Sequence, residues 1–420
     1  MGRGEDEANW GFATKLIHSG FSGDRETGAT TVPIYETASF AYDSALDLAA
    51  VFEGKRFGYI YSRIANPTVA AFERRINSLE NGVGAIAAAS GMAAIATVFF
   101  ALTGAGSEVL ASKSLFGGTY GFFREVLTKF GVRVRYVDFT NPNEYRKAFT
   151  PATRVVYLEA LGNPKLDVPD IGEIKRLAEL NNVPLVVDST LTTPYLFPAK
   201  KYGVDIVIHS STKYITGNGS SIGGVLVDLG NFTWNACQND EIREMAKKAG
   251  EFAFLAKARS ILQNTGACLS PFNAFLQFSG VETLGLRMER HCSNALELAR
   301  YLSGHPRILE VNYPGLPNNP FHEIARRQFG GRYGALLTFK LGTRERCFQF
   351  IDGLRMIKNL ANIGDTRTLV IHPASTIYSG CTEEERLAAG VTEDLIRVSV
   401  GIEDVKDIIS DMERALGGLS

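Results

Sequence analysis

Val204-Asp205-Ile206-Val207-Ile208-His209-Ser210-Ser211-Thr212-Lys213 is the stretch on which the reading of the fold turns. Val204 to Ile208 is an apolar, mostly β-branched run, the composition of a buried strand. Behind it come two hydroxyls in a Ser-x-Thr spacing, then Lys213, then Gly217, Gly219, Gly223 and Gly224 among small polar residues. Ligands of open α/β sheets bind at strand ends of this kind. Two readings of Lys213 stand side by side. It is an amine nucleophile able to form a Schiff base, with Ser210 and Thr212 holding an anion such as phosphate. Or it belongs to a surface loop and faces water.

Working upstream from this stretch, strands and helices alternate. Expected strands are Ala85 to Ala89, Glu108 to Ala111, Val132 to Val137, Thr153 to Leu158 and Pro184 to Asp188, with Gly224 to Asp228 after the loop. Between them lie expected helices at Met92 to Leu102, Gly118 to Phe130, Asn143 to Phe149 and Ile171 to Asn181. Such alternation implies a parallel or mixed sheet covered on both faces. Residues 1–70 are rich in turn formers and aromatics, suited to an arm that wraps over another subunit. Asn66-Pro67 opens a helix as cap and first residue. Beyond residue 260 one long helical stretch is expected from Pro271 through Leu302. Strands Ile308 to Tyr313, Ala335 to Lys340 and Leu395 to Val400 and helices Arg344 to Leu354 and Val405 to Leu416 follow, a smaller α+β unit. The expected division is 1–70, 71–265 and 266–420.

The same strand-end logic picks out further residues. Asp188 ends a strand and is available to a pyridinium nitrogen, to a metal, or to nothing beyond a local partner. Ser90-Gly91-Met92 joins a strand to a helix, so the Gly91 and Met92 amides form an anion cup without a Walker lysine. Asn163 follows another strand and is placed to donate to a phenolate. Phe116 offers a flat apolar face for ring stacking. Taken singly, Gly91 is a tight turn, Asn163 a turn residue before proline and Phe116 core. Together they supply the phosphate cup, ring acid, amine and stacking face that pyridoxal 5′-phosphate requires.

Composition narrows the classes. The 420 residues are 45% hydrophobic and 21% charged, with a formal net charge of −1. These values describe a globular protein with no electrostatic bias toward nucleic acid or an anionic membrane. The five cysteines are scattered without zinc-ligand or Cys-x-x-Cys spacing, so no metal site is expected and a reduced, cytoplasmic chain is the simplest reading. The charged start, Met1 to Glu7, lacks the apolar run of a secretory signal. Asn81 to Ser107 carries no charge and is long enough to span a bilayer, but Ser90-Gly91 splits it into a buried strand and a buried helix.

The chain resembles the Cys/Met-metabolism family of pyridoxal-phosphate enzymes, which includes cystathionine synthases and lyases, methionine γ-lyase and the homoserine sulfhydrylases. The resemblance covers nearly the whole chain. It is carried by Val32-Pro33-Ile34-Tyr35, Tyr61-Ser62-Arg63-Ile64-Ala65-Asn66-Pro67-Thr68, Ser90-Gly91-Met92-Ala93-Ala94, Val187-Asp188, His209-Ser210-Ser211-Thr212-Lys213-Tyr214, Gly364-Asp365, His372-Pro373-Ala374-Ser375-Thr376 and Arg397-Val398-Ser399-Val400-Gly401. Similarity to the O-acetylhomoserine sulfhydrylase branch rests on Leu269-Ser270-Pro271-Phe272-Asn273-Ala274-Phe275, Glu282-Thr283-Leu284, Arg287-Met288-Glu289-Arg290-His291, Leu369-Val370-Ile371-His372-Pro373 and Leu387-Ala388-Ala389-Gly390-Val391.

The resemblance implies an α/β fold of aminotransferase type I: a large domain with a mostly parallel seven-stranded sheet and a smaller C-terminal α+β domain. It implies that Lys213 carries the cofactor as a Schiff base, that Asp188 binds the ring nitrogen and that Asn163 faces the ring hydroxyl. Ser210, Thr212 and the Gly91 and Met92 amides would hold the phosphate. Tyr61 and Arg63 match a pair that reaches the phosphate from a neighbouring subunit, within a tetramer built from dimers. Arg397 would clamp the substrate carboxylate with help from Asn362; without the resemblance, an arginine on an apolar strand reads as half of a buried salt bridge.

The implied activity is γ-replacement on O-acetyl-L-homoserine by sulfide or a thiol, giving homocysteine or methionine plus acetate, in methionine biosynthesis. Cystathionine γ-synthase, O-succinylhomoserine sulfhydrylase and methionine γ-lyase are the alternatives within the family. The sulfur donor stays open among free sulfide, a small thiol and sulfur carried by a protein. Three positions depart from the family: Phe116 where tyrosine is usual, Ser189 where asparagine is common, and Tyr378 where branch relatives often have histidine. Loss of the hydroxyl at Phe116 weakens a γ-lyase reading more than a sulfhydrylase one. Two rivals from other classes fail on spacing. A Ser210-x-x-Lys213 acyl-enzyme motif should open a helix and be joined by Ser-Asp-Asn and Lys-Thr-Gly, which do not occur. Gly217-x-Gly219-x-x-x-Gly223 does not match a dinucleotide loop.

Overall fold

The structure, a computed structural model of the chain, describes residues 7, 9–24 and 26–419. Most of the charged start, Met1 to Asp6, lies outside them.

The β-branched and small apolar runs form seven strands: β1 Gly84–Ala88, β2 Glu108–Ser112, β3 Arg133–Val137, β4 Thr153–Glu159, β5 Leu185–Asp188, β6 Ile206–His209 and β7 Gly224–Asp228. Their order in the sheet is β1-β7-β6-β5-β4-β2-β3. From β6 through β5, β4 and β2 to β3 all neighbours are parallel; β7 runs antiparallel to both β6 and β1. The parallel pairs need crossovers, and helices supply them. The β6–β7 connection is different. It is an antiparallel return through the Ser210 to Gly223 loop, which leaves Lys213 at the C-terminal end of the parallel strands.

Alternation along the strands splits the core in two. Val156, Leu158, Val187, Val207 and Val225 enter one buried cluster, and Val155, Tyr157, Val186, Ile206, Ile208 and Leu226 the other. Side chains at successive strand positions point to opposite faces, so both faces must be apolar. The first cluster runs on into the C-terminal sheet through Leu336, Phe339, Ile396 and Val398. That sheet contains β8 Glu310–Asn312, β9 Leu336–Lys340, β10 Lys358–Asn359, β11 Leu369–Ile371 and β12 Leu395–Ser399, in the order β10-β11-β12-β9-β8. Only β10–β11 is parallel.

Several local expectations are corrected. The helical stretch from Pro271 to Leu302 is two helices, Pro271–Val281 and Leu284–Ser303. At the break, the buried Arg287 guanidinium donates to Gly280 O at 2.7 Å, Thr283 Oγ1 at 3.0 Å, Tyr214 O at 2.5 Å and Ile215 O at 3.2 Å. A side chain thus ties the interrupted helix to the loop that carries Lys213. The helix expected at Asn143 to Phe149 is one turn, Pro142–Tyr145, capped by Asn141. Helices Asp240–Ala249 and Ala253–Thr265 and the short strands β10 and β11 were not anticipated. Helix Pro67–Glu80 is capped by Asn66 as expected. The uncharged stretch forms β1 and helix Gly91–Leu102, and among the described residues no helix is long and apolar enough to cross a membrane.

Candidate active site

The C-terminal ends of five strands, β1, β2, β4, β5 and β6, and one antiparallel strand of the C-terminal sheet converge on a cavity of about 310 Å³. Ten of the residues singled out by sequence line it: Gly91, Met92, Phe116, Asn163, Asp188, Ser210, Thr212, Lys213, Asn362 and Arg397. Tyr61 and Arg63 do not. Tyr61 is exposed, and Arg63 donates to Gln263 O at 2.7 Å on the surface of its own chain.

Lys213 sits in the first turn of the loop after β6. Its Nζ donates to Asn362 Oδ1 at 2.6 Å. Burial, and secondarily the positive charge of Arg397, lower the amine to about 8. An ordinary lysine is almost wholly protonated at neutral pH; this one has a substantial neutral fraction in mildly alkaline solution.

Ser90 caps helix Gly91–Leu102 by accepting from Ala93 N, and the Gly91 and Met92 amides at the first two helical positions have no intrahelical acceptor. A Cβ added at Gly91 would lie 2.7 Å from Ser210 Cβ. Only glycine therefore lets the helix start approach the Ser210 loop. Gly91→Ala is expected to push Ser210 aside and weaken cofactor binding about tenfold, from an overpacking cost of about 1.4 kcal/mol, measured by titrating apoenzyme with pyridoxal phosphate. The Thr212 hydroxyl donates to Gly223 O at 3.1 Å and accepts from Gly223 N at 3.0 Å, so it also pins the two ends of the loop together.

Asp188 accepts from Thr190 N at 2.9 Å and from the Tyr157 hydroxyl at 3.4 Å. Burial raises its carboxyl above the usual range, and the Thr190 bonds oppose the rise. Glu159 stands beside it, paired in register at the end of β4. Glu159 Oε1 accepts from Phe116 N at 2.5 Å, and burial followed by the Asp188 charge raises its carboxyl well above normal. Sequence reasoning passed over Glu159 and Thr190, although Glu159 ends a strand as Asp188 does.

Arg397, on β12, is 4% exposed. Its Nη1 donates to Asn163 Oδ1 at 3.1 Å and its Nη2 to Asn362 O at 3.2 Å, while its buried Nε has no partner. Both acceptors are neutral, so the buried-salt-bridge reading is excluded. Burial lowers the guanidinium to about 10, which leaves it cationic at neutral pH. A buried cation with no counter-ion among the described residues, beside a cavity, is suited to receive a carboxylate.

These groups fit pyridoxal phosphate. The helix start and the Ser210 loop would serve as the anion cradle, Asp188 and Phe116 are available to the ring, and Lys213 would supply the amine. The family of Cys/Met metabolism PLP-dependent enzymes matches residues 13–417. The chain is 42% identical to O-acetyl-L-homoserine sulfhydrylase of Leptospira meyeri over 96% of both chains. It is 40% identical to homocysteine synthase of Schizosaccharomyces pombe, over 96% of this chain and 98% of that one. A Campylobacter jejuni structure that carries N′-pyridoxyl-lysine-5′-monophosphate superposes with a TM-score of 0.91 at 31% identity, covering 97% of this chain and 100% of the other. A family model that matches nearly the whole chain and full-length relatives at about 40% identity show that this chain belongs to the Cys/Met-metabolism family of pyridoxal-phosphate-dependent enzymes.

Proposed function

We propose that the enzyme catalyses γ-replacement on O-acetyl-L-homoserine, exchanging acetate for sulfide or a small thiol to give homocysteine or methionine. The observation that carries this choice is the charge inventory of the cavity. Among the described residues, Lys213 and Arg397 are the only cationic side chains that line it. Lys213 is the cofactor-linked amine, and Arg397 is engaged by the α-carboxylate of the substrate. With the neighbouring subunit's arginine committed to the phosphate in this reading, the described residues of this chain leave no further cation for the distal carboxylate of a succinyl ester or for the carboxylate of cysteine as nucleophile. The remaining wall is largely apolar, with Ile95, Leu161, Leu191, Ile222 and Ile377. A neutral acetyl group and a small sulfur nucleophile suit such a wall.

When bound, pyridoxal phosphate supplies an electron sink for negative charge that develops next to the substrate amine. Asp188 would hold the ring nitrogen in its protonated form, Phe116 would offer an apolar face to the ring and Asn163 a polar group to its hydroxyl. Arg397, with Asn362, orients the carboxylate. The neutral Lys213 amine would take the α proton, deliver it to the carbon that joins the substrate amine to the cofactor and, neutral again, take the β proton. Acetate leaves from Cγ with the C–O bonding pair, and the incoming sulfur forms the new bond at Cγ. Lys213 then returns protons to the carbon skeleton. With Phe116 in place of a tyrosine, no hydroxyl at that wall shares this traffic, which disfavours a γ-lyase.

Tyr61 and Arg63, which lie outside their own chain's cavity, serve the phosphate of a neighbouring subunit in this reading. The exposed apolar side chains of Leu46, Phe52 and Phe57 in the same arm support an oligomer; a tetramer of paired dimers acting in the cytoplasm completes the reading.

The test is a product assay with acetyl and succinyl esters against sulfide, methanethiol and cysteine. The acetyl ester is expected to lead by at least about tenfold in kcat/KM, the cost of leaving one carboxylate without a partner, and cystathionine should be a minor product. Equal use of the succinyl ester, or efficient use of cysteine, overturns the reading.

A further inference from the structure

Between β11 and β12 the chain leaves the C-terminal sheet and lies against the large domain. This excursion, residues 373–391, has its own small core of Ala374, Tyr378, Ala389 and Val391, separate from the two main clusters. It carries the short helix Glu383–Ala388, closed by a capping box between Thr382 and Glu385. Ile377 reaches the cavity wall. Two links fasten the excursion to the strand-end loops. The Arg124 guanidinium, on the helix that starts after Phe116, meets Glu385 at 3.3 Å, an exposed pair worth little by itself. The other link is buried. Tyr378 is 1% exposed, and its hydroxyl proton is shared between Leu115 O at 3.1 Å and Asn163 O at 3.0 Å.

Those two carbonyls have a consequence for the site. Leu115 precedes Phe116, and the side-chain oxygen of Asn163 is the acceptor for Arg397 Nη1. One hydroxyl therefore joins the C-terminal excursion to the stacking wall and to the residue that steadies the carboxylate clamp. We infer that residues 373–391 form a flap that seals the cavity, and that Tyr378 is a positioning residue that latches it to the Phe116 and Asn163 loops. Burial raises the phenol well above its ordinary value, so the latch keeps its proton throughout the working pH range.

The inference rests on the proposed function for its kinetic arm only. A first arm needs no turnover of the ester. Tyr378→Phe holoenzyme is titrated with norleucine, an amino acid without a leaving group, and binding is followed by the cofactor's absorbance. Affinity is expected to fall about tenfold, the effect of removing one buried hydrogen bond that positions the clamp. In the second arm, wild type and variant turn over the acetyl ester with sulfide. The keto-acid by-product is expected to rise at least roughly threefold relative to the replacement product, because an unlatched flap admits water. A variant with wild-type affinity and partition overturns the inference, and so does one that loses only melting temperature and kcat. If Tyr378→Phe fails to fold, Gly117→Ala decides. A Cβ there would sit 3.0 Å from Ile377 O, wedging the flap outward without touching the buried hydroxyl. The same two shifts are expected, and their absence overturns the inference. Failure of wild type to use the ester would overturn the proposed function and leave the norleucine arm to decide the latch.

Discussion

Lys213→Ala is expected to lower kcat at least about 10³-fold, the scale of losing a positioned proton-transfer group that is also the covalent anchor. The reason lies in the environment of the amine. It is buried, bonded to a neutral amide oxygen at 2.6 Å, and lowered to about 8 by desolvation and by Arg397. Below that value the amine is an ammonium and cannot take a proton; above it the amine is free to act. Wild-type kcat is therefore expected to rise with pH through the region around 8, and the limb should vanish with the residue. The folded state should persist, because the loop is held by Arg287 and by the Thr212–Gly223 bonds rather than by Lys213. Near-wild-type melting, loss of the absorbance of lysine-linked cofactor and loss of turnover together are the expected signature. Full turnover by the alanine variant would end the reading of this site.

Arg397→Leu should separate binding from chemistry. Among the described residues the guanidinium has no carboxylate of its own and an unpartnered Nε, and in the proposed function the substrate carboxylate is the counter-ion it lacks. Losing a desolvated, charge-assisted contact costs about 3 kcal/mol, on the order of a hundredfold in KM for the homoserine ester. Arg397→Lys keeps the charge without the planar fork and should fall between the two. The pH limb offers a second readout. Because the Arg397 charge helps to depress the Lys213 amine, its removal should move the limb to higher pH. Burial is the larger cause, so the limb should stay below that of an exposed lysine. An unchanged KM would exclude Arg397 from carboxylate binding, whatever happens to kcat.

Much of the site could be read from the chain because its parts follow one local rule. Asp188 ends a strand, and Lys213, Asn163, Phe116 and Gly91 each stand just past one, whose composition announces it; strands running in one direction bring such ends to one side of a sheet. Glu159 obeys the same rule and was still missed, since a single acid at a strand end has no spacing partner in the sequence. Arg397 and Asn362 have no local signature; only the resemblance singled them out. Elsewhere, β10 and β11 span two and three residues, too few for a period. The break at Glu282-Thr283 depends on Arg287 bonding to a loop some seventy residues away, which no window of sequence contains.

The sequence by itself determined the alternation of strands and helices, the glycine-permitted approach at the helix start, and which lysine and aspartate stand at the strand ends. Each follows from neighbours within one strand, one turn or one cap. Tertiary structure alone decided that Arg397 is a cation without a counter-ion, that Tyr61 and Arg63 lie outside their own cavity, and that Tyr378 fastens the excursion over the site. These are contacts between distant segments, and their energies depend on which groups are desolvated together when the two sheets pack.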